Sequence, residues 1–238
     1  MFRRILNSLA VIGWVTFMVD QTPLKDIFQK LSFDSNIIDI PVEENQMNSN
    51  VIIDYSRYDD KTNAYFKEVA LKSEFSDRVK TEPRRWTKDV KIFMHGEVSD
   101  LITEELTKIV GELNELIEPI ELYRVDNKSD ANCTIFLGSS EEFISEYNDR
   151  ISEKSKELLK RNWGFFIMSD NESLIFINTD ETYGDELAQR HLLREELTQS
   201  LGLCNDSYQY PESIFYQAWS LTTEYAEIDK RLIDLLFN

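Results

Sequence analysis

The chain has 238 residues, of which 42% are apolar and 12% aromatic, a composition typical of a folded domain and not of a disordered chain. The 44 acidic and 26 basic residues give a formal net charge of −18. A surface of this charge repels phosphate backbones, so nucleic acid is excluded as an expected partner.

The amino-terminal segment, residues 1–22, predicts a hydrophobic helix that is a membrane anchor or a signal segment. Two arginines precede an uncharged apolar run, Ile5–Val19. As a helix this run reaches roughly 22 Å, less than the roughly 30 Å hydrocarbon core, so its flanks must extend the span. We favour an uncleaved signal anchor over a cleaved signal peptide or a buried helix. The arginines then stay cytoplasmic, which predicts a single-pass membrane protein, anchored through residues 2–22, with a periplasmic or extracellular domain.

Residues 23–60 predict a stalk or irregular lead-in, because short apolar patches alternate there with polar tracts. The folded domain is expected over residues 61–238. In chain order, hydrophobic periodicity predicts a helix over 63–75, a strand over 90–94, a helix from 99 or 100 to 116, strands over 120–125 and 132–137, a helix over 140–147, a hairpin of strands 164–168 and 173–177, a helix over 186–201, and a final helix that opens at Ser220 or Thr222.

This order of elements predicts an α/β (α+β) fold. We expect a mixed, mostly parallel sheet with an antiparallel edge hairpin and helices packed on it. Cys133 falls in a predicted strand and Cys204 after the 186–201 helix, and nothing in the sequence brings them together. Two small buried side chains are therefore favoured over a disulfide.

The segment that follows the hairpin has the frame of a zinc-peptidase helix without its zinc ligands. A metzincin reads H-E-x-x-H-x-x-G-x-x-H, often followed by Asp. Three residues are in register with that frame: Glu196, Gly202 and Asp206. The ligand positions hold Glu195, Gln199 and Asn205. Residues four apart share a helix face, and the glycine turns the chain back, so we expect the three side chains to converge without a metal ion or other cofactor.

Each of these residues has a functional and a structural interpretation. Glu196 is either the general base of an atypical hydrolase or a buried carboxylate that holds Arg194 or a loop amide. Glu195 and Gln199 either ligate Ca²⁺ or Mg²⁺ or, as we favour, join a hydrogen-bond network in the former metal cavity. A displaced zinc site of His191, Glu195 and His95 is an alternative, but the sequence favours a helix-surface His191 and a His95 in a turn.

Several longer segments resemble one bacterial family. They are the Arg-Glu-Glu-Leu-Thr-Gln-Ser-Leu-Gly-Leu-Cys-Asn-Asp block that begins at Arg194, and the segments 86–92, 212–215 and 221–229. The family is a domain of unknown function that is similar to zinc metallopeptidases and occurs mostly in exported proteins. The resemblance covers about residues 60–238 and implies a zincin-like fold, in which the metal helix follows the last strand. The place of the metzincin Met-turn is Ser213-Ile214-Phe215, without a methionine.

These observations together predict a degenerate metallopeptidase, or pseudoenzyme, of the bacterial envelope. The expected role is a protein- or peptide-binding module, or a subunit of an envelope assembly. In zincins the edge strand aligns an extended peptide by strand addition, which does not require zinc. The alternative is a peptidase-like hydrolase that uses Glu196 as general base.

Overall fold

A computed structural model of the protein describes residues 52–72, 79–169, 171–218 and 220–238. The predicted amino-terminal helix and most of the predicted stalk lie outside these residues. No helix in the described ranges is long and apolar enough to cross a membrane.

The described ranges contain six α-helices and five strands. The helices are α1 (Asp60–Leu71), α2 (Asp100–Leu116), α3 (Ser140–Glu146), α4 (Glu153–Leu159), α5 (Glu186–Gln199) and α6 (Glu227–Phe237), and the strands are β1 (Val90–Gly96), β2 (Leu122–Arg124), β3 (Cys133–Gly138), β4 (Gly164–Ser169) and β5 (Glu172–Asn178). Short 3₁₀ helices occupy Tyr55–Arg57, Lys128–Asp130 and Asn148–Arg150.

The strands form one sheet in the order β2-β1-β3-β5-β4. The first four strands of this order are parallel, and β4 pairs with β5 as an antiparallel hairpin at the edge. Asn171, in the tight turn of the hairpin, adopts a φ of 56°, a left-handed conformation that asparagine tolerates better than most residues. The prediction of a mixed, mostly parallel sheet with an antiparallel edge hairpin is therefore confirmed.

Helices cover both faces of the sheet. On one face, α1, α2, α5 and α6 enclose the main core, because alternate residues of the strands (Ile92, Ile135 and Ile175 among them) point toward these helices. On the other face, α3 and α4 enclose a smaller aromatic cluster. That cluster consists of Phe136, Phe143, Tyr147, Ile151, Leu159, Phe165, Leu174 and Phe176.

The helices differ from the prediction at three places. The first helix runs over Asp60–Leu71, capped by Asp59, and so begins and ends earlier than predicted. The charged stretch after residue 150, for which no element was predicted, contains α4. The last helix begins at Glu227 and not at Ser220 or Thr222, because Asp229 accepts a hydrogen bond from the backbone N–H of Ala226 and fixes the start of the helix there.

The end of the predicted lead-in packs on the domain. Tyr55 and Tyr58 contact the main core, and Arg57 forms an ion pair of 2.8 Å with Asp234 of α6. Both cysteines are buried free thiols, and burial raises the pKa of each.

Candidate functional site

The candidate residues lie on α5, a helix whose polar side chains are mostly buried. Leu193 and Leu197 face the main core, as expected. The buried polar residues of the helix are His191, Arg194, Glu195, Glu196, Thr198 and Gln199. Burying so many polar groups is unfavourable unless each has a partner. Their partners therefore indicate what the helix does.

Glu195 occupies the first ligand position of the metzincin frame and faces His191, one turn earlier. Oε2 of Glu195 lies 3.3 Å from Nε2 of His191. Nδ1 of the same ring donates to the carbonyl oxygen of Thr222 at 2.7 Å. Burial disfavours the charged ring, but the hydrogen bond to Glu195 and its negative charge outweigh burial and raise the pKa of His191. The prediction of a helix-surface His191 is thus wrong, because this side chain is buried and joins α5 to the segment before α6.

Gln199 and Asn205, in the other two ligand positions, come together on Asp206. Nε2 of Gln199 donates to Oδ1 of Asp206 at 2.6 Å, and Nδ2 of Asn205 donates to its carbonyl oxygen at 2.6 Å. The backbone N–H of Asn205 also donates to the carbonyl oxygen of Val69 in α1. The turn after α5 thus brings Asn205 back to the helix, and hydrogen bonds through Asp206 hold it beside Gln199. Glu195 instead faces His191.

Glu196, the candidate general base, lies against the edge strand. Its side chain is nearly buried, and a Cβ added at Gly164 in β4 would overlap its carboxylate. The missing side chain at Gly164 therefore leaves the room that this carboxylate occupies. Arg194 projects from the opposite side of α5, because residues two apart on a helix diverge, and it is paired with glutamates of α2.

Gly202 ends the helix turn in a conformation that favours glycine. Its φ is 133°, and a Cβ there would overlap the carbonyl oxygen of Arg84. Two residues later along that segment, Nε1 of Trp86 donates to the carbonyl oxygen of Ser200 at 2.9 Å. The segment before β1 therefore packs tightly against the end of α5, and Trp86 satisfies one of the carbonyl groups at that end.

A buried ion network, not predicted from the sequence, holds α5 against α2. The guanidinium of Arg194 is completely buried and forms ion pairs with Glu105 and Glu112. Arg190 also contacts Glu105, at 2.7 Å, and the ring of Tyr225 lies 4.5 Å from the Arg194 guanidinium carbon. A signal existed in the sequence, since Glu105 and Glu112 are seven apart on one helix, but only the fold shows which residue they face.

The place of the Met-turn holds a second buried network. Ser213 accepts a hydrogen bond from Tyr65 at 2.9 Å and donates to Oδ1 of Asp229 at 2.5 Å. Oδ2 of Asp229 accepts from the backbone N–H groups of Ile214 and Ala226. Burial raises the pKa of Asp229 to about 6, against the opposing effect of these hydrogen bonds. Asp229 thus joins the loop at Ser213 and Ile214 to the start of α6.

Zinc, which the resemblance to zinc peptidases implies, does not fit these residues. Glu195, Gln199 and Asn205 are engaged with protein groups, and a carboxylate with two amides is a poor zinc ligand set. Among the described residues, no group of three or more His, Cys, Asp or Glu is placed to hold a metal ion. The displaced zinc site is wrong as well, because His95 contacts the aromatic cluster on the opposite face of the sheet from His191.

Comparisons with known proteins give the family of the domain. Residues 59–238 match the family described as Protein of unknown function (DUF2927). The chain belongs to this family. Comparison with curated proteins gave no match. The match covers the sheet, all six helices and the candidate residues on α5, so the site described above lies within the family domain.

Proposed function

We propose that this chain is a peptide-binding domain of the bacterial envelope, built on a zincin-like scaffold whose metal site has been replaced by hydrogen bonds. The domain is held outside the cytoplasm by the anchor in residues 1–22. The observation that carries the proposal is the open edge of β4, which lies beside the buried carboxylate of Glu196.

The arrangement of elements supports the zincin-like assignment. In zincins the metal helix follows the last strand of the sheet, and here α5 follows β5 and packs against both strands of the edge hairpin. The antiparallel strand β4 lies at the sheet edge nearest the frame residue Glu196. Two independent features, the order of strands and the residue frame, therefore favour the same scaffold.

The backbone of β4 offers two positions for an added strand. The N–H of Asn178, at the end of β5, donates to the carbonyl oxygen of Trp163, so these two residues are a hydrogen-bonded pair. Because hydrogen-bonded pairs occur at every second residue of an antiparallel ladder, Phe165 and Ile167 also bond to β5. The intervening residues Gly164, Phe166 and Met168 direct their N–H and C=O groups to the outer edge.

Part of this edge already has a partner. Nη1 of Arg84 donates to the carbonyl oxygen of Met168 at 3.1 Å, which is consistent with its outward direction. Among the described residues no strand pairs with this side of β4. Gly164 and Phe166 are therefore the positions at which an extended peptide would pair by strand addition.

Two exposed apolar side chains lie near the amino-terminal half of α5, on the His191 side of the helix. Leu187 lies one turn before His191 on the same helix face and is 48% exposed. Leu221 precedes Thr222, whose carbonyl oxygen binds His191, and is 41% exposed. The His191 side of α5 thus has exposed apolar surface, and strand addition on β4 does not depend on it.

The proposal is tested by removing one donor from the edge. Peptides selected from a random decapeptide display library on the full-length protein are synthesised, and their affinities are measured by calorimetry. Phe166→Pro removes an outward N–H that β5 does not use, so the variant should fold and bind at least about tenfold more weakly. Phe166→Leu keeps that N–H and is the matched control. Equal binding to both variants contradicts strand addition on β4.

The hydrolase alternative rests on the place of Glu196 beside the strand that would align a substrate. The selected peptides distinguish the two functions when they are incubated with wild type and with Glu196→Gln. Cleavage by wild type that Glu196→Gln abolishes favours a hydrolase, whereas intact peptides with unchanged affinity favour the binding module. Elemental analysis of the purified protein should show no stoichiometric zinc, and one zinc per chain contradicts the metal-free site.

A further inference from the structure

A crevice lies at the carboxyl ends of β1 and β3, away from the α5 site. These two strands are parallel neighbours. The chain leaves β1 toward α2, which packs in the main core, and leaves β3 toward α3, which packs in the aromatic cluster on the opposite face. The two connections diverge, which makes this position a topological switch point. Ligands of open α/β sheets bind in such crevices, outside the carboxyl ends of the strands.

The crevice has the size of a small-molecule site. Its volume is about 620 Å³, within the range of ligand pockets. Gly96 ends β1 with a φ of 89°, and a Cβ there would overlap the carbonyl oxygen of Leu137. The backbone at Gly96 therefore lies in close contact with the backbone of Leu137 in β3. The ring of Phe136 forms an aromatic wall of the crevice.

The lining is negative. Of the described residues that line the crevice, none is Lys or Arg and four are glutamates, namely Glu97, Glu141, Glu142 and Glu146. Each is held through one carboxylate oxygen by a neighbouring group of the protein. Their positions are therefore ordered by the fold.

His95 adds an ordered polar group to this surface. Its Nε2 is 2.6 Å from the hydroxyl of Tyr147, and its ring stacks edge-on against Phe136. Burial lowers the pKa of His95, which favours the uncharged ring although Glu146 lies 3.7 Å away. Lys128, which lies over the Tyr147 ring, forms an ion pair of 2.6 Å with Glu146 and offsets the charge of that one glutamate, so Glu97, Glu141 and Glu142 keep the crevice negative.

We propose that this crevice is a second binding site, which takes a small organic cation with one or more ammonium groups on an apolar chain. The glutamates bind the ammonium groups by charge-assisted hydrogen bonds, and the aromatic wall packs against the chain. Neither the α5 site nor strand addition on β4 is needed, so the two proposals stand independently.

The test uses the full-length protein and a panel of linear molecules, in which the diamine, the diol and the dicarboxylate share a five-carbon backbone. The probes are 1,5-diaminopentane, spermidine, 1,5-pentanediol and glutarate, titrated in 150 mM salt and followed by NMR shifts of the His95 ring and the backbone near Gly96 and Ser145. We expect saturable one-to-one binding of the two amines with shifts at these positions. No saturable binding of either amine, or equal binding of the diol, overturns the proposal.

Two variants separate a seated cation from diffuse attraction by an acidic surface. Glu141→Gln with Glu146→Gln should weaken amine binding by about tenfold. Glu153→Gln with Glu157→Gln, on α4 away from the crevice, makes the same charge change and should have little effect. Ser145→Phe fills the crevice without changing charge and should also weaken binding. Equal losses in the α4 and crevice pairs, or full binding by Ser145→Phe, overturn the proposal.

Discussion

At the scale of single residues, backbone conformation decides what substitution a glycine tolerates. Gly202 and Gly111 make this comparison within one chain. Gly202 has a φ of 133° and faces the carbonyl oxygen of Arg84, whereas Gly111 lies in α2 with nothing within 4 Å of an added Cβ. Gly202 therefore has no room for a side chain, whereas Gly111 has room for one and only lowers the helix propensity of α2.

We expect Gly202→Ala to lower the free energy of unfolding by about 3 kcal/mol, through backbone strain and the overlap with Arg84. Gly111→Ala, the same chemical change, should raise it by about 1 kcal/mol because alanine favours the helix. Urea denaturation of both variants measures the two effects. Equal midpoints for Gly202→Ala and wild type would show that this glycine is not required to end the turn.

The buried His191–Glu195 pair predicts a pH dependence of stability. The pKa of His191 is raised in the folded protein, so its contribution is fully present below the unfolded value near 6.5 and is lost as pH rises through the folded pKa. The stability of wild type relative to His191→Gln should therefore fall with rising pH across that window. His95, whose pKa is lowered, contributes in the opposite direction in both proteins and cancels in the difference. A pH-independent difference contradicts the ion pair.

The candidate residues themselves could be selected from the sequence, but not all their partners could. The spacing of Glu195 and Gln199, and the position of Gly202, follow from helix periodicity and turn chemistry, which are local properties. The partner of Arg194 does not, since Glu105 lies on another helix and 89 positions away in the chain. A buried charge is specified by its tertiary environment, and periodicity contains no information on it.

At the scale of elements, α5 is positioned by its contacts with α2 as much as by its apolar face. Glu105 is 2% exposed and pairs with both Arg190 and Arg194. These two ion pairs join α2 to α5, and both helices pack on the same face of the sheet. Removing one partner of such a buried pair leaves an uncompensated charge in the core.

Glu105→Gln should therefore lower the free energy of unfolding by about 3 kcal/mol. Glu104→Gln, the same substitution at the exposed neighbouring position of α2, should change it by less than about 0.5 kcal/mol. Thermal and urea denaturation at neutral pH measure both. If the two variants are equally stable, the network does not hold α2 to α5.

The elements that periodicity predicted best are those with a continuous apolar pattern. The hairpin of β4 and β5, the helix α2 and the strands β1 and β3 all have such patterns and lie close to their expected positions. The start of α6 was misplaced because Ser220 and Thr222 are both residues that commonly cap helices, while the cap is made by Asp229 from within the helix. The carbonyl oxygen of Thr222 binds His191 instead, a tertiary contact that periodicity does not show.

At the scale of the whole molecule, the sheet separates two surfaces with different chemistry. One carries the buried polar helix α5 beside an open strand edge, and the other carries an acidic crevice at the carboxyl ends of β1 and β3. The net charge of −18 of the whole chain disfavours binding to anionic membrane surfaces. Its attachment to a membrane is therefore expected to depend on the amino-terminal anchor and not on the domain.

The last prediction concerns that anchor. Full-length protein should fractionate with membranes, resist carbonate extraction and keep Met1, because Ile5–Val19 is apolar and uncharged. Leu9→Arg puts a charge in the middle of the run, which makes membrane insertion less favourable by about 3 kcal/mol and should release part of the protein from the membrane. Leu24→Arg, outside the run, is the matched control. A mature chain that begins near Asp20 indicates a cleaved signal peptide instead. Recovery in the cytosol with Met1 intact contradicts both, and makes the segment part of the folded domain.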